Sequence, residues 1–385
     1  MPILRSLKEV ITQDNARLSI EFFLIFMLGA RASLSNRENQ KMEEIEVELV
    51  SHYRSTLSLQ DLRDLFRSLS IYMVFDDQEI GGRVTPDLLR RASSIAVQRY
   101  QWSHGPRTFD QKLYYTFQCG GYPFFVLDTR TQRFKDDRPG LLDNHLLGRP
   151  SLDPVNHPGQ LQRLKDWLSE QQKDRKNVPK FIVTSSVFAP NAMDERIAPD
   201  TDSWFGFLQP PEGPMTPAEK VFKLNAKRRD DSDSWPAYPV TRLELLQHIV
   251  KNKIQNVVFL SGDIHCSNVA EIYFEGTDGA GLKAAAITSS AFYWPFPFAD
   301  GDPNGYVHDS TQEKQLDPFP VLETDAVMQY RSYGYTQEDN FARVDVDRTA
   351  GTITVRIFDR DGASVRVDNP KGKMVDKLVL QLEKW

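Results

Sequence analysis

The sequence predicts an α/β fold, and three observations carry that expectation. Short, continuous apolar runs such as Ile71-Tyr72-Met73-Val74-Phe75, Phe181-Ile182-Val183 and Val257-Val258-Phe259-Leu260 read as strands buried on both faces. Residues 160–168 repeat apolar positions at helical spacing, so strands alternate with a helix. The third observation is chemical. Asp76-Asp77 follow one run, Asp128-Thr129-Arg130 follow another, and Gly262-Asp263-Ile264-His265 follow a third. In an open α/β sheet, ligands bind at the carboxyl ends of the strands.

At 385 residues the chain is long enough for one large domain or two ordinary ones, and no clean linker divides it. A net charge of −6 with no basic face argues against a nucleic-acid-binding surface. Two cysteines and no CxxC exclude a disulfide framework and thiolate-rich zinc sites. With seven histidines, a metal site must lean on oxygen ligands. The apolar run at 22–30 is too short for a transmembrane segment, which needs about 20 residues. Glu9, Asp14 and Glu21 precede or open that run without a positive excess, so a buried helix or strand is read there in preference to a signal core. This favours a cytoplasmic chain over a secreted one.

Residues 1–70 read as a mostly helical segment. Leu59, Leu62, Leu65 and Phe66 share a helical face, with Ser58 as N-cap and Asp61 in the first turn. The remainder, 71–385, reads as one domain with a long loop insertion around 189–240. After the strand at 71–75 comes Asp76-Asp77-Gln78-Glu79, which is either a solvated acidic turn or part of a site. Strands at 114–117 and 122–127 follow, and Arg130 then either clamps an oxyanion or pairs with Asp128. The strand at 181–184 ends in Ser185-Ser186. In the loop, Trp235 and Tyr238 either wall a substrate pocket or pack on the surface. A helix at 241–252 leads into the strand that delivers Asp263 and His265, either a metal site or a satisfied loop pair. An apolar run at 284–290 follows. Alternating stretches at 342–346, 353–357 and 378–382 then read as antiparallel strands, one pair turning at Ala350-Gly351.

Two blocks resemble a family. Phe75-Asp76-Asp77-Gln78-Glu79-Ile80 is similar to the FDDHE(I) block of the alkaline-phosphatase-D-like metallophosphatases, and Leu260-Ser261-Gly262-Asp263-Ile264-His265 to their LSGDVH block. Leu127-Asp128-Thr129-Arg130, the 160–168 helix, Asp233-Ser234-Trp235 and Asn340-Phe341-Ala342-Arg343-Val344 agree in order, so the resemblance covers about residues 70–350. It implies a four-layer α/β/β/α sandwich of two mixed sheets that hydrolyses phosphate mono- or diesters. The implied cofactors are two or more divalent or trivalent metal ions, in this family often iron and calcium. Two such ions generate a hydroxide nucleophile and hold the attacking and leaving oxygens. Asp77, Asp263 and His265 are the implied metal ligands, and Ser185 or Ser186 stands where the wider superfamily often has a ligating histidine. Arg130 would add charge at the phosphoryl group.

The chain departs from the family pattern in two places. The GDQxYxD block that supplies a bridging carboxylate is absent from residues 1–70, which makes the expected sandwich N-terminally incomplete. The histidine of FDDHE is Gln78, which can donate a hydrogen bond but cannot act as a general acid. Two readings follow: a metal-dependent phosphoesterase with impaired chemistry, or a non-catalytic relative that binds or scaffolds. A sheet edge left open by the missing block is expected to be covered by N-terminal helices through Leu62, Leu65 and Phe66.

Overall fold

The protein is represented by a computed structural model that describes residues 42–68, 70–76, 87–101, 108, 112–134, 145–191, 234–290, 305–312 and 317–385. Its frame is a large mixed sheet of eight strands in the order β1-β2-β3-β4-β6-β5-β8-β7. These are β1 (Tyr115–Cys119), β2 (Tyr122–Val126), β3 (Lys180–Val183), β4 (Val257–Ser261), β5 (Ser267–Glu275), β6 (Lys283–Ser289), β7 (Phe319–Pro320) and β8 (Val327–Thr336). The centre, β2-β3-β4-β6, is parallel, and antiparallel strands flank it on both sides. The continuous apolar runs of β3 and β4 are buried along their whole length, as strands covered on both faces must be.

The two-residue period of a strand sends neighbouring side chains into different cores. Phe125, Ile182 and Phe259 point to one face, where α4 (Gln160–Arg175) and α5 (Pro239–Lys251) cover them with Leu164, Leu168, Leu245 and Ile249. Phe124, Phe181, Val258 and Leu260 point to the other, against a smaller sheet that supplies Val344, Ile353, Val355, Ile357 and Leu380. That sheet is antiparallel and built on β10 (Thr352–Asp359). The strand β9 (Asn340–Asp347) runs along one edge of β10, while β11 (Ser364–Val365) and β14 (Leu378–Gln381) share the other. A hairpin of β12 (Val367–Asp368) and β13 (Met374–Val375) fills the gap between β11 and β14. Helices, large sheet and small sheet stack as an α/β sandwich, the class the sequence predicts. The outer face of the small sheet carries Asp345, which accepts from Arg343 Nε at 2.8 Å and also pairs with Arg356.

The helical N-terminal stretch comprises α1 (Met42–Leu57) and α2 (Gln60–Ser68), with α3 (Asp87–Tyr100) further on. The contacts described beside Leu113, just before β1, are made by α1 and α3. Ile45, Leu49 and Tyr53 of α1 pack with Ala92, Ala96 and Val97 of α3 around Phe75 and Leu113, while Leu62 and Leu65 are buried and Phe66 is half-buried. Ser58 does not act as an N-cap: its hydroxyl donates to Ser55 O at 2.6 Å, closing the end of α1. Residues 71–76 belong to no helix or sheet, contrary to the strand expected there. Their contacts are made by side chains instead. Tyr115 Oη donates to Met73 O at 2.7 Å, and Tyr72 stacks on Phe117. The helix expected at 241–252 begins two residues earlier, with Pro239 at its first position, where a missing N–H costs nothing. Among the described residues no helix is long and apolar enough to cross a membrane.

Candidate active site

The carboxyl ends of β2, β3 and β4 lie side by side and form the site. At β4 the chain must reach β5, yet β6 lies between them. Residues 262–266 therefore cross the end of β6, and Ser290, the residue after β6, accepts the His265 backbone N–H on its Oγ at 3.0 Å. The crossing puts Asp263 at φ +74° and His265 at φ +50°. Each departure of this kind costs an L-residue roughly 1–2 kcal/mol, and such positions cluster at functional sites. Between them Ile264 is buried with Val187, Cys266 and Tyr306, which fixes the turn from below. Burial pushes the Cys266 thiol up to about 12, so it behaves as a small apolar residue.

Arg130 joins this turn to a second piece of chain. Its side chain is 0 % exposed, and Nη2 lies 2.6 Å from Asp76 Oδ1 and 3.2 Å from Asp263 Oδ2. Nε donates to the same Asp76 oxygen at 2.7 Å. The guanidinium thus spans from the end of β2 to the end of β4, past β3. At the end of β3 the small Ser185 and Ser186 turn their hydroxyls to Thr129, at 2.5 Å and 3.1 Å. Asp128, the nearest carboxylate in sequence, is not the partner of the guanidinium. It accepts the backbone N–H groups of Arg130 and Thr131 at 3.1 Å and 2.8 Å, together with the Thr131 hydroxyl. Its burial raises its pKa, and those hydrogen bonds pull the other way.

Of the residues singled out from sequence, the structure brings Arg130 and Asp263 together and sets His265 on the same turn. Asp77 and Gln78 lie outside the described residues. Asp76, passed over in favour of its neighbour, is the carboxylate that the structure shows at Arg130. Trp235 and Tyr238 are fully buried. Trp235 sits in a short 3-10 turn (Trp235–Ala237), donates Nε1–H to Thr184 Oγ1 at 3.1 Å, and packs edge-on against Phe188. Both rings therefore belong to the core beneath the strand ends. Sequence reasoning missed Gln160 and Ser290: neither has a local pattern that marks it, and only strand order brings them to the site.

Among the described residues no group of three or more His, Cys, Asp or Glu side chains is disposed to hold a metal ion. The donor set on the turn, one carboxylate and one imidazole, suits a borderline cation. Asp263 and His265 are the described donors that such a cation would use.

The profile of the PhoD-like phosphatase family matches residues 29–316. Alkaline phosphatase D of Bacillus subtilis (strain 168) is 26% identical over 268 residues, which is 62% of this chain and 39% of that protein. The chain thus spans well under half the length of that curated relative. A solved structure described as "Structure of PhoD" aligns over 83% of this chain and 56% of its own, with 18% identity and a TM-score of 0.43. Since the family profile covers most of the chain, including the arm that carries Asp76, Arg130 and the Asp263–His265 turn, this chain belongs to the PhoD-like phosphatase family.

Proposed function

We propose that the chain hydrolyses phosphate esters at the Asp263–His265 turn with a bound metal ion. The observation that carries this reading is the strained turn at the end of β4, which presents a carboxylate and an imidazole beside a buried guanidinium. When bound, the metal supplies Lewis acidity toward the phosphoryl oxygen and makes water more acidic. Asp263 and His265 would hold it, and Asp77 is the third donor that the family resemblance implies. Iron and calcium are the ions that family membership suggests, and the two-ion form of the mechanism is the family's. Arg130 positions Asp263 and Asp76 and adds positive charge to the wall of the site. Trp235 and Tyr238 act on a bound substrate only by stiffening the floor under Thr184 and Phe188. Gln78 can donate a hydrogen bond to a departing oxygen but no proton, so esters with acidic leaving groups should be favoured.

The test is hydrolysis of p-nitrophenyl phosphate and bis-p-nitrophenyl phosphate by the full chain, reloaded with manganese, iron or calcium. Turnover that depends on metal and drops by about 10²-fold or more in Asp263→Ala supports the reading. Absence of turnover with every metal rejects it. Gln78 favours a second reading, a relative that binds phosphate esters without cleaving them. That reading requires the melting temperature to rise with a phosphate ester while no product forms.

A further inference from the structure

We infer that Ser185, at the end of β3, donates a hydrogen bond to a nonbridging oxygen of the phosphate ester. The inference rests on the phosphoesterase reading above and names a donor for the phosphoryl group. It starts from a count of protons. Thr129, Ser185 and Ser186 are each fully buried, so bulk water does not complete their hydrogen bonds. Ser186 Oγ donates to Thr129 Oγ1 at 3.1 Å, and Thr129 Oγ1 meets Ser185 Oγ at 2.5 Å, where one of the two donates. Three hydroxyls thus bring three protons to two hydrogen bonds. Among the described residues nothing accepts the third proton, which belongs to Ser185 or to Thr129 according to which of them donates. A buried hydroxyl without an acceptor is costly, and a native fold that keeps one has a use for it.

Position selects Ser185 over Thr129. Thr184 N donates to Leu260 O at 2.9 Å, so the ladder between β3 and β4 runs to the residue before Ser185. Continuing the pairing of Val183 with Leu260 sets Ser185 beside Gly262, one residue before Asp263. Glycine brings no side chain of its own to the hydroxyl, whereas Thr129 stands one strand further from the turn. The Asp263 side chain is 19 % exposed and marks where solvent reaches this end of the sheet. Arg130 is already committed: its Nε and Nη2 lie on Asp76, and Nη2 also lies on Asp263. A phosphoryl oxygen beside Asp263 therefore finds its unspent donor on β3. A fixed donor shielded from water holds a charged oxygen more strongly than an exposed one.

The test measures binding of inorganic phosphate to the full chain by titration calorimetry in manganese buffer, beside urea unfolding of the same samples. Ser185→Ala should weaken phosphate binding by about tenfold or more, the loss of a hydrogen bond to a charged oxygen. Its urea midpoint should stay near that of the wild type, because Ser186 still donates to Thr129 and the number of unspent protons remains one. Thr129→Val strands the protons of both serines and should lower the midpoint. Phosphate affinity unchanged in Ser185→Ala would overturn the inference, and so would a midpoint that falls as far in Ser185→Ala as in Thr129→Val. If Thr129→Val does not fold, the phosphate affinity of Ser185→Ala decides alone. A wild type that hydrolyses esters but loses nothing in Ser185→Ala keeps the phosphoesterase reading and rejects this donor. A wild type that binds phosphate through Ser185 and cleaves no ester keeps the donor and rejects the phosphoesterase reading.

Discussion

Gln160 grips both polar edges of the Asp128 peptide. Its Oε1 accepts the Asp128 N–H at 2.8 Å, and its Nε2 donates to the Asp128 carbonyl at 2.9 Å. Leu127 N still donates to Val183 O at 2.8 Å, so the ladder with β3 continues to that residue. One residue later the first side chain of α4 takes over as the hydrogen-bonding partner. The peptide it holds sets the direction in which Thr129 and Arg130 leave the sheet.

Replacing that grip should therefore cost both stability and site geometry. Gln160→Ala leaves a buried N–H and a buried carbonyl unsatisfied, at roughly 1–3 kcal/mol each before relaxation. Urea unfolding should show a loss of about 2–4 kcal/mol. Gln160→Glu, which sets a buried carboxylate oxygen against the Asp128 carbonyl, should at neutral pH cost at least as much as Gln160→Ala.

Asp76 and Arg130 should be strongly coupled. Removing one member of a buried ion pair strands the other, at roughly 3–5 kcal/mol. Arg130→Met should fall in that range, because it strands Asp76 and also strips Asp263 of a contact. In a double-mutant cycle, Asp76→Asn together with Arg130→Met should cost much less than the sum of the single changes. Additive losses would mean that the pair contributes nothing as a pair.

Lys180 makes stability depend on pH in a defined window. It is buried at the start of β3, where Nζ donates to the carbonyls of Lys176, Val178 and Gln255 at 2.6 Å, 3.0 Å and 3.1 Å. Burial pushes its pKa down from 10.5 to about 7. Between those values the unfolded chain binds a proton that the folded chain has released, so stability rises with pH from about 7 upward. The slope should be on the order of 1 kcal/mol per pH unit up to about pH 9. Above that, thiol ionisation acts in the opposite direction, because burial raises both cysteine pKa values. Lys180→Met should abolish the slope, as read from urea midpoints at pH 7, 8 and 9.

Two glycines with similar backbones should respond differently to the same change. Gly281, at φ +76°, has nothing within 4 Å of an added Cβ, so Gly281→Ala meets only backbone strain, about 1 kcal/mol. Gly276, at φ +88°, would place its Cβ 2.2 Å from Asp325 O, in a turn where Asp325 holds the N–H groups of Thr277 and Asp278. Gly276→Ala should cost about 1–3 kcal/mol more than Gly281→Ala in thermal or urea unfolding.

The parallel centre was legible because buried strands leave uninterrupted apolar runs, and residues 122–127, 181–184 and 257–260 carry them. β5 and β8 were missed because each breaks its apolar pattern with a charge. Glu271 lies in β5, and Arg331 of β8 is balanced by Asp309, 22 residues earlier. No local pattern reveals such a partner. The same reason explains the site. Asp263, His265 and Arg130 stood out at strand ends, but sequence proximity offered Asp128 as the partner of Arg130. Asp128 instead closes a local turn on two backbone N–H groups, and the guanidinium finds Asp76 across 54 residues. Trp235 and Tyr238 looked like loop aromatics because their polar neighbours hide that the 3-10 turn folds under β3.

The strand order also sets a schedule for assembly. The two anchors of Arg130, Asp76 and Asp263, reach one guanidinium only after β2, β3 and β4 have paired. Closing such long chain segments is entropically costly, so pairings of this kind form late. Helices α4 and α5 need no such closure. During refolding from urea, helical circular dichroism should therefore return well before the capacity to capture manganese. On the proposed reading, metal uptake would then serve as a clock for the last step of folding, and a variant that slows parallel pairing should delay it without delaying the helices.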